Sequence, residues 1–330
     1  MGKKVLVAGL GFVVLVLLGQ LIFNYIYNFP KQVEYGVTFS PQYAKYLGLN
    51  WKEIYIKMLD ELKVDRLRLP SYWEDIEKQR GNFNFEDEDF MLDEAGKRGA
   101  KIILVVGVRQ PRWPECHLPS WAMSLSLEQK RAKILQFVQQ VVERYKNNDA
   151  IEAIQVENEP FLPYFGENCD KGDKRFLKTE VELVRSLTNK PIIVSDSGEL
   201  GSWIVPMQTS DIFGTTLYRD VYNPLMGYIS YPILPYFYNL KSWVIRRIFA
   251  PENQKTVIVE LQAEPWLASK DLQRSPEKQA TLFSLKKLQS YINYAEKTGF
   301  DEIYLWGVEW WIWLEEHGHP EYLDFIKTLL

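Results

Sequence analysis

Residues 151–160 read IEAIQVENEP. Ile151, Ile154 and Val156 form a short run of strand-forming residues. Pro160 cannot donate to a ladder, so the stretch predicts a buried strand that stops here. Asn158-Glu159-Pro160 then emerges from its carboxyl end. In barrels of alternating strands and helices, the chemistry gathers at the carboxyl ends of the strands. About a hundred residues on, Thr256–Glu260 reads TVIVE, again an apolar strand that ends on a carboxylate. Two carboxylates at the ends of two separate buried strands are what retaining glycoside cleavage requires.

Working outward, the rest of the chain alternates in the same way. Strands are predicted over Val33–Ser40, Asp65–Pro70, Lys101–Val108, Pro191–Ser195, Ile212–Tyr218 and Glu302–Trp306. The third, KIILVVGV, is nearly all apolar, as a parallel strand buried on both faces should be. Helices are predicted over Trp51–Leu62, with Trp51, Ile54, Met58 and Leu62 on one stripe, and over Phe85–Arg98, closed by Gly99. Others follow at Leu127–Tyr145, Arg175–Leu187, Ile204–Thr209, Lys241–Phe249, Pro276–Thr298 and Tyr322–Leu329. The Pro276 helix has Ser275 as N-cap and proline at its first position. Val221–Asn239 is an aromatic, proline-rich excursion. Eight strands alternating with eight helices predict an α/β fold, a (β/α)8 TIM barrel, over residues 33–330. The rival, a doubly wound open sheet, wants a glycine-rich phosphate turn after its first strand, and there is none.

Ahead of the barrel, Lys3 and Lys4 precede Val5–Phe23, nineteen residues with Gln20 as the one strongly polar member. At ~1.5 Å per residue this run spans a bilayer's hydrocarbon core. Phe23, Tyr25, Tyr27 and Phe29 follow as an interfacial belt. Residues 1–32 are therefore expected to be a transmembrane signal anchor and short linker. The lipid bilayer is then a partner through residues 5–23, and the barrel lies on the extracytoplasmic side of a single-pass membrane protein. A cleaved signal peptide is the alternative, but no small-x-small site closes the run. In an exported chain, Cys116 and Cys169 are expected to pair, since each follows a predicted strand. A net charge of −4 without a basic stripe excludes a nucleic-acid partner. The aromatic content, 14%, concentrates near strand ends, where rings can pack on sugar faces as well as on one another.

With these motifs in place, the sequence resembles glycoside hydrolase clan A, the retaining barrel glycosidases, and most of all its family 5 cellulase-like members. Tyr72-Trp73-Glu74, then Gly81-Asn82-Phe83-Asn84-Phe85 and Asp89, also resemble the barrel β-galactosidases. The resemblance implies Glu159 as general acid/base and Glu260 as nucleophile. It implies Asn158 as ligand of the sugar 2-hydroxyl and Arg68 as the arginine that holds the nucleophile and keeps it ionised. Tyr218 becomes the tyrosine bonded to the nucleophile and Trp306 the floor of the cleaved-sugar subsite. The substrate implied is a β-linked oligo- or polysaccharide, cleaved by double displacement without cofactor or metal. The sequence departs from the family 5 pattern at strand three, Gly107-Val108-Arg109-Gln110, and at strand six, Thr216-Leu217-Tyr218, where histidines are usual.

Other residues are weighed against these. Glu264, in Glu264-Pro265-Trp266, is the rival nucleophile, but Glu260 ends the strand directly. Glu157 shares a strand with Glu159 and is read as pointing outward or lying behind the site. Glu309, just past Trp306, and Trp113, in the strand-three loop with His117, are expected to touch sugar. Asp196 and Glu199 are read as loop polar residues or substrate contacts. His317 and His319 beside Glu315 and Glu316 match no metal-ligand spacing and are read as a solvated loop. Two other functions share this sequence: a non-catalytic carbohydrate-binding barrel, which does not need both glutamates, and a transglycosylase, which uses the same residues.

Overall fold

The computed structural model describes residues 32–163, 165–223, 226–267 and 275–330, together with Gly19. The expected anchor at 5–23 and its linker lie outside the described residues, apart from Gly19 and Gln32. Among the described residues no helix is long and apolar enough to cross a membrane.

Eight strands close into a parallel barrel. They are β1 (Glu34–Thr38), β2 (Arg66–Pro70), β3 (Lys101–Val106), β4 (Ile151–Val156), β5 (Ile192–Asp196), β6 (Ile212–Leu217), β9 (Lys255–Gln262) and β10 (Glu302–Trp306). The strands between them, β7 (Asp220–Asn223) and β8 (Gly227–Ser230), form a separate antiparallel hairpin inside the aromatic excursion. Parallel pairing runs right around the ring, with Thr38 beside Trp306 and, past a register shift after Thr215, Thr216 beside Glu260. Helices form the outer layer: α1 (Pro41–Tyr46), α2 (Trp51–Glu61), α3 (Trp73–Ile76), α4 (Glu86–Lys97), α5 (Leu127–Tyr145), α6 (Lys174–Leu187), α7 (Ile204–Thr209), α8 (Tyr236–Phe249), α9 (Pro276–Leu282), α10 (Leu285–Glu296), α11 (Val308–Glu316) and α12 (Glu321–Ile326). The best-signalled helix, α5, has a complete capping box, Ser126 with Gln129.

Inside the barrel, Ile103, Ala153, Ile193, Val257 and Val259 pack around Tyr304. A Cβ at Gly36 would lie 2.7 Å from the Tyr304 ring, so only glycine lets β1 pass this plug. Below it the N-terminal end is tied by ion pairs, Arg66 to Glu34 at 2.7 Å and to Glu152 at 3.0 Å. Above the apolar plug, the interior toward the carboxyl ends of the strands is polar, with Arg68, Gln155 and Glu260 buried there.

Three expectations change. The predicted helix Pro276–Thr298 is two helices. Phe283 turns into the core against Tyr291 and Trp310, and Ser284 caps a new start by accepting from the Lys287 N–H. The fourth strand stops at Val156, so Asn158 and Glu159 lie on a tight loop rather than in the ladder. After β10 comes a buried helix, α11, that the alternation did not predict.

Candidate active site

Arg68 is the hub of the polar end. It is completely buried on β2, and its guanidinium reaches three side chains as well as the Val259 carbonyl. Nε donates to Gln155 Oε1 at 2.8 Å, one terminal nitrogen to Glu260 Oε1 at 2.7 Å, and the other to Asn158 Oδ1 at 2.9 Å. Such a planar fork fixes orientation as well as charge. Ser195 on β5 joins the same layer, donating to Asn158 Oδ1 at 3.1 Å and accepting from the Glu159 N–H at 3.1 Å. Gln155 closes it by donating to the Glu157 carbonyl at 2.9 Å. The chain beyond β4 is thereby held in a conformation that puts both Glu157 (φ 59°) and Glu159 (φ 46°) in the left-handed region. Two left-handed glutamates flanking one residue are costly, and such strain clusters where geometry serves a site.

Glu260 and Glu159 face one another electrostatically inside the mouth. The second oxygen of Glu260 accepts from the Tyr218 hydroxyl at 2.9 Å. Glu159 Oε1 accepts from Thr216 Oγ1 at 2.9 Å. Thr216 and Tyr218 are two residues apart, at the end of β6, so they project to the same side. One strand end thus serves both carboxyls. Burial, the Glu260 charge and nearby Glu115 together push the Glu159 carboxyl well above the usual range. Glu115 is itself buried, takes a hydrogen bond from the Asn158 side chain, and is pushed up to about 8, chiefly by burial. Tyr218 is oriented from behind by Glu199, which accepts its N–H at 2.9 Å and the Tyr238 hydroxyl at 2.7 Å. Asp196 accepts only backbone N–H groups of its own loop, those of Ser197 and Trp203.

The strand-three loop forms the adjoining wall. Cys116 and Cys169 are joined in a disulfide, as expected, and tie this loop to the one after β4. Arg112 lies between the rings of Tyr43 (3.8 Å) and Trp306 (4.1 Å) and pairs with Glu264 and, at 2.8 Å, with Glu309. Glu264, the rival of Glu260, is therefore committed to Arg112. Glu309 is a correction. It is fully buried in the first turn of α11, where it accepts the Ser40 N–H and the Arg112 guanidinium, so it supports the wall and offers no surface to a ligand. His117 likewise does not reach the carboxyl pair. It is buried, stacks on Tyr72 at 4.1 Å, and bonds Glu74 and the Arg112 carbonyl. Trp306 sits at the end of β10, with Arg112 over its ring.

Around the mouth stands an aromatic rim. Trp113, 58% exposed, meets Phe165 edge-on; Phe165 meets Trp266, and Trp266 meets Tyr218 at 5.3 Å. Trp113 was expected here; Phe165 and Trp266 were not, although each lies just past a strand end. Glu115, Arg112, Thr216, Gln155 and Ser195 were also missed. Nothing in their local sequence marks them, since their value comes from partners on other strands. Behind the site is a small cavity of about 70 Å³, bordered by Glu157, Cys116, Arg131, Phe176 and Glu180. There Glu157 accepts the Val108 and Arg109 N–H groups and shares a hydrogen bond with Glu180 of α6. Among the described residues no three potential ligands gather to hold a metal ion. His317 meets the Trp313 ring at a tilt and His319 pairs with exposed Glu321.

Residues 71–171 match the family model for glycosyl hydrolase family 10. A comparison with curated proteins finds no match. Among solved structures, the chain is similar to GH5_18 from Bifidobacterium longum subsp. longum, with a TM-score of 0.59 and 13% identity over 83% of this chain and 69% of that one. A variant of that protein has been solved in complex with Manb1-4GlcNAc. It is also similar to a β-galactosidase from the psychrophilic Marinomonas ef1, with a TM-score of 0.53 and 14% identity over 82% of this chain and 53% of that one. The chain thus spans about half the length of that β-galactosidase. Likeness at this level of identity speaks for the shared barrel.

Proposed function

We propose that this chain, a clan A barrel glycoside hydrolase by its family-model match and its fold, cleaves a β-linked glycan with retention. One observation carries the reading: a carboxylate cradled by a guanidinium and a phenol, Glu260, faces a second carboxyl held protonated, Glu159. Retaining cleavage needs that asymmetry, with the two groups about 5 Å apart. In the first step Glu260 attacks the anomeric carbon while Glu159 gives its proton to the leaving oxygen. Forming the glycosyl ester removes the Glu260 charge, which is one of the causes holding the Glu159 proton. Glu159 then becomes the stronger acid, and its carboxylate takes a proton from the incoming water. In this reading Asn158, fixed by Arg68 and Ser195, is the contact for the sugar 2-hydroxyl. Trp306 and the rim at Trp113, Phe165 and Trp266 supply ring faces for sugar. In this reading the bond-making and proton-transfer steps fall to Glu260 and Glu159.

Anchoring belongs to the same proposal. Val5–Phe23 would hold the chain in a bilayer with the barrel on the extracytoplasmic side, an environment that also suits the Cys116–Cys169 disulfide.

The test is turnover of aryl β-glycosides and a polysaccharide panel by the intact chain, beside Glu260→Ala. Loss on the order of 10⁵-fold is expected, with azide restoring turnover and yielding a glycosyl azide of inverted configuration. Turnover that survives Glu260→Ala transfers the role to Glu264. Sugar binding without turnover on any substrate replaces the enzyme with a binding barrel.

A further inference from the structure

Helix α8 breaks a rule that the other outer helices obey. It turns Tyr238, Ser242 and Ile245 into the barrel. At 100° per residue its opposite face carries Leu240, Trp243 and Val244, flanked by Phe237 and Ile248. All five face solvent, Trp243 at 50% and Ile248 at 63%. By contrast α6 exposes Lys174, Arg175, Lys178, Glu182 and Arg185. A helix apolar all round is ordinarily buried on all sides. The residues YFYNLKSWVIRRIF also include three basic side chains and no acid. Lys241 is turned inward onto the Gly198 and Gly201 carbonyls, and Arg246 donates to the Gln254 carbonyl. Arg247 stays outward, paired only with exposed Glu252, and a pair of that kind holds it weakly. Tryptophan, phenylalanine and aliphatic side chains with arginine at one end form the composition of a helix lying in a membrane interface.

The position of the helix agrees. Six residues after Phe249, Lys255 begins β9 and pairs with Asp301 and Glu302. Glu302 is the register partner of Glu34, at the start of β1. The end of α8 and the place where the chain enters the barrel therefore share one end of the molecule, away from the carboxyl pair. Between Phe23 and Glu34 lie ten residues, which span at most about 35 Å fully extended. An anchored barrel is thus kept close to the bilayer by the end that α8 reaches.

We infer that the outward face of α8 is a membrane-contact surface that docks on the bilayer carrying the anchor. The inference rests on the anchoring proposed above, and its test separates the two. The intact chain carries an environment-sensitive fluorophore at Val244→Cys or, as control, at Lys178→Cys on α6. Each is mixed with POPC/POPG vesicles doped with doxyl-labelled phosphatidylcholine. Quenching at position 244 should exceed that at 178 by at least roughly twofold, and Trp243→Ser with Ile248→Ser should abolish the excess. Equal quenching at the two positions overturns the docking face, whether or not the chain sediments with the vesicles. Sedimentation reports the anchor by itself. Shielding at 244 without lipid quenching, together with a doubled mass in solution, also overturns it, by assigning the face to a second copy of this chain.

Discussion

Glu157 and Glu159 are two residues apart on one loop, both left-handed and both buried, and both carboxyls are pushed upward by burial. Each sits beside a second glutamate. Glu159 looks into the barrel, toward Glu260, Tyr218 and a rim of partly exposed aromatic rings. Glu157 looks away, toward Glu180 of α6 and a small cavity. Its oxygens are taken by two backbone N–H groups, which favour charge on Glu157, so the shared proton rests on Glu180, pushed well above the usual range by burial and by its neighbour. Gly107 is required there because the Glu157 carboxyl occupies the space of its Cβ. A raised carboxyl beside a second carboxyl is therefore no sign of chemistry in itself. The inner pair is set apart by donors of a different kind: a buried guanidinium and a phenol on Glu260 and a threonine hydroxyl on Glu159, all side chains at strand ends around an open mouth.

The sharpest way to break this contrast is to neutralise one carboxyl of each pair. Glu159→Gln should lower kcat/KM about 10²–10⁴-fold on substrates with poor leaving groups, and far less on dinitrophenyl glycosides, which need no protonation. Glu180→Gln should leave turnover within a few-fold of the parent. Equal losses in the two variants would show that the outer pair takes part in the reaction. A smaller effect is expected from Tyr218→Phe, which removes one of the donors to Glu260. A fall of roughly 10²-fold in kcat is expected, with KM little changed. A change confined to KM would make Tyr218 a sugar contact only.

The pH dependence separates the pairs further. Because the acid must be protonated, kcat/KM should decline as pH rises through the raised value of Glu159, an alkaline limb. The smallest effect concerns stability. A carboxyl raised in the folded state is bound to its proton more tightly there than in the unfolded chain. The stabilisation is present below the ordinary carboxylate range and lost as pH rises through the raised value. Glu180, with Glu88 and Glu115 raised to about 8 and Glu199 to about 7, should make Tm fall between about pH 4.5 and pH 8. Glu180→Gln should flatten that decline and raise Tm at the alkaline end by a few degrees, read by calorimetry. An unchanged slope would show that Glu180 is not carrying the proton.

Two arginines repeat the lesson at the scale of whole strands. Arg68 was legible through the resemblance to clan A, with the following Leu69-Pro70 at the strand end favouring it over Arg66. Arg112 was not, since it lies in a loop of mixed composition. Yet Arg112 is what commits Glu264 and draws Glu309 into the wall. That choice between Glu260 and Glu264 is a matter of which cation each carboxylate meets across the barrel, and no spacing in the chain encodes it.

By itself the sequence determined the barrel, through eight apolar runs alternating with helical stripes. It also picked out Glu159 and Glu260, because each closely follows an apolar strand, while Arg68 and Tyr218 were legible through the resemblance to clan A. Local rules of this kind act over a few residues, so they are readable along the chain. Tertiary structure alone decided that Glu115 joins the site, that Glu309 leaves it, that Glu157 is given to Glu180 and that α8 shows an apolar face to solvent. Each of these depends on groups far apart in sequence meeting in a low-dielectric interior, where the identity of the nearest charge outweighs any local preference.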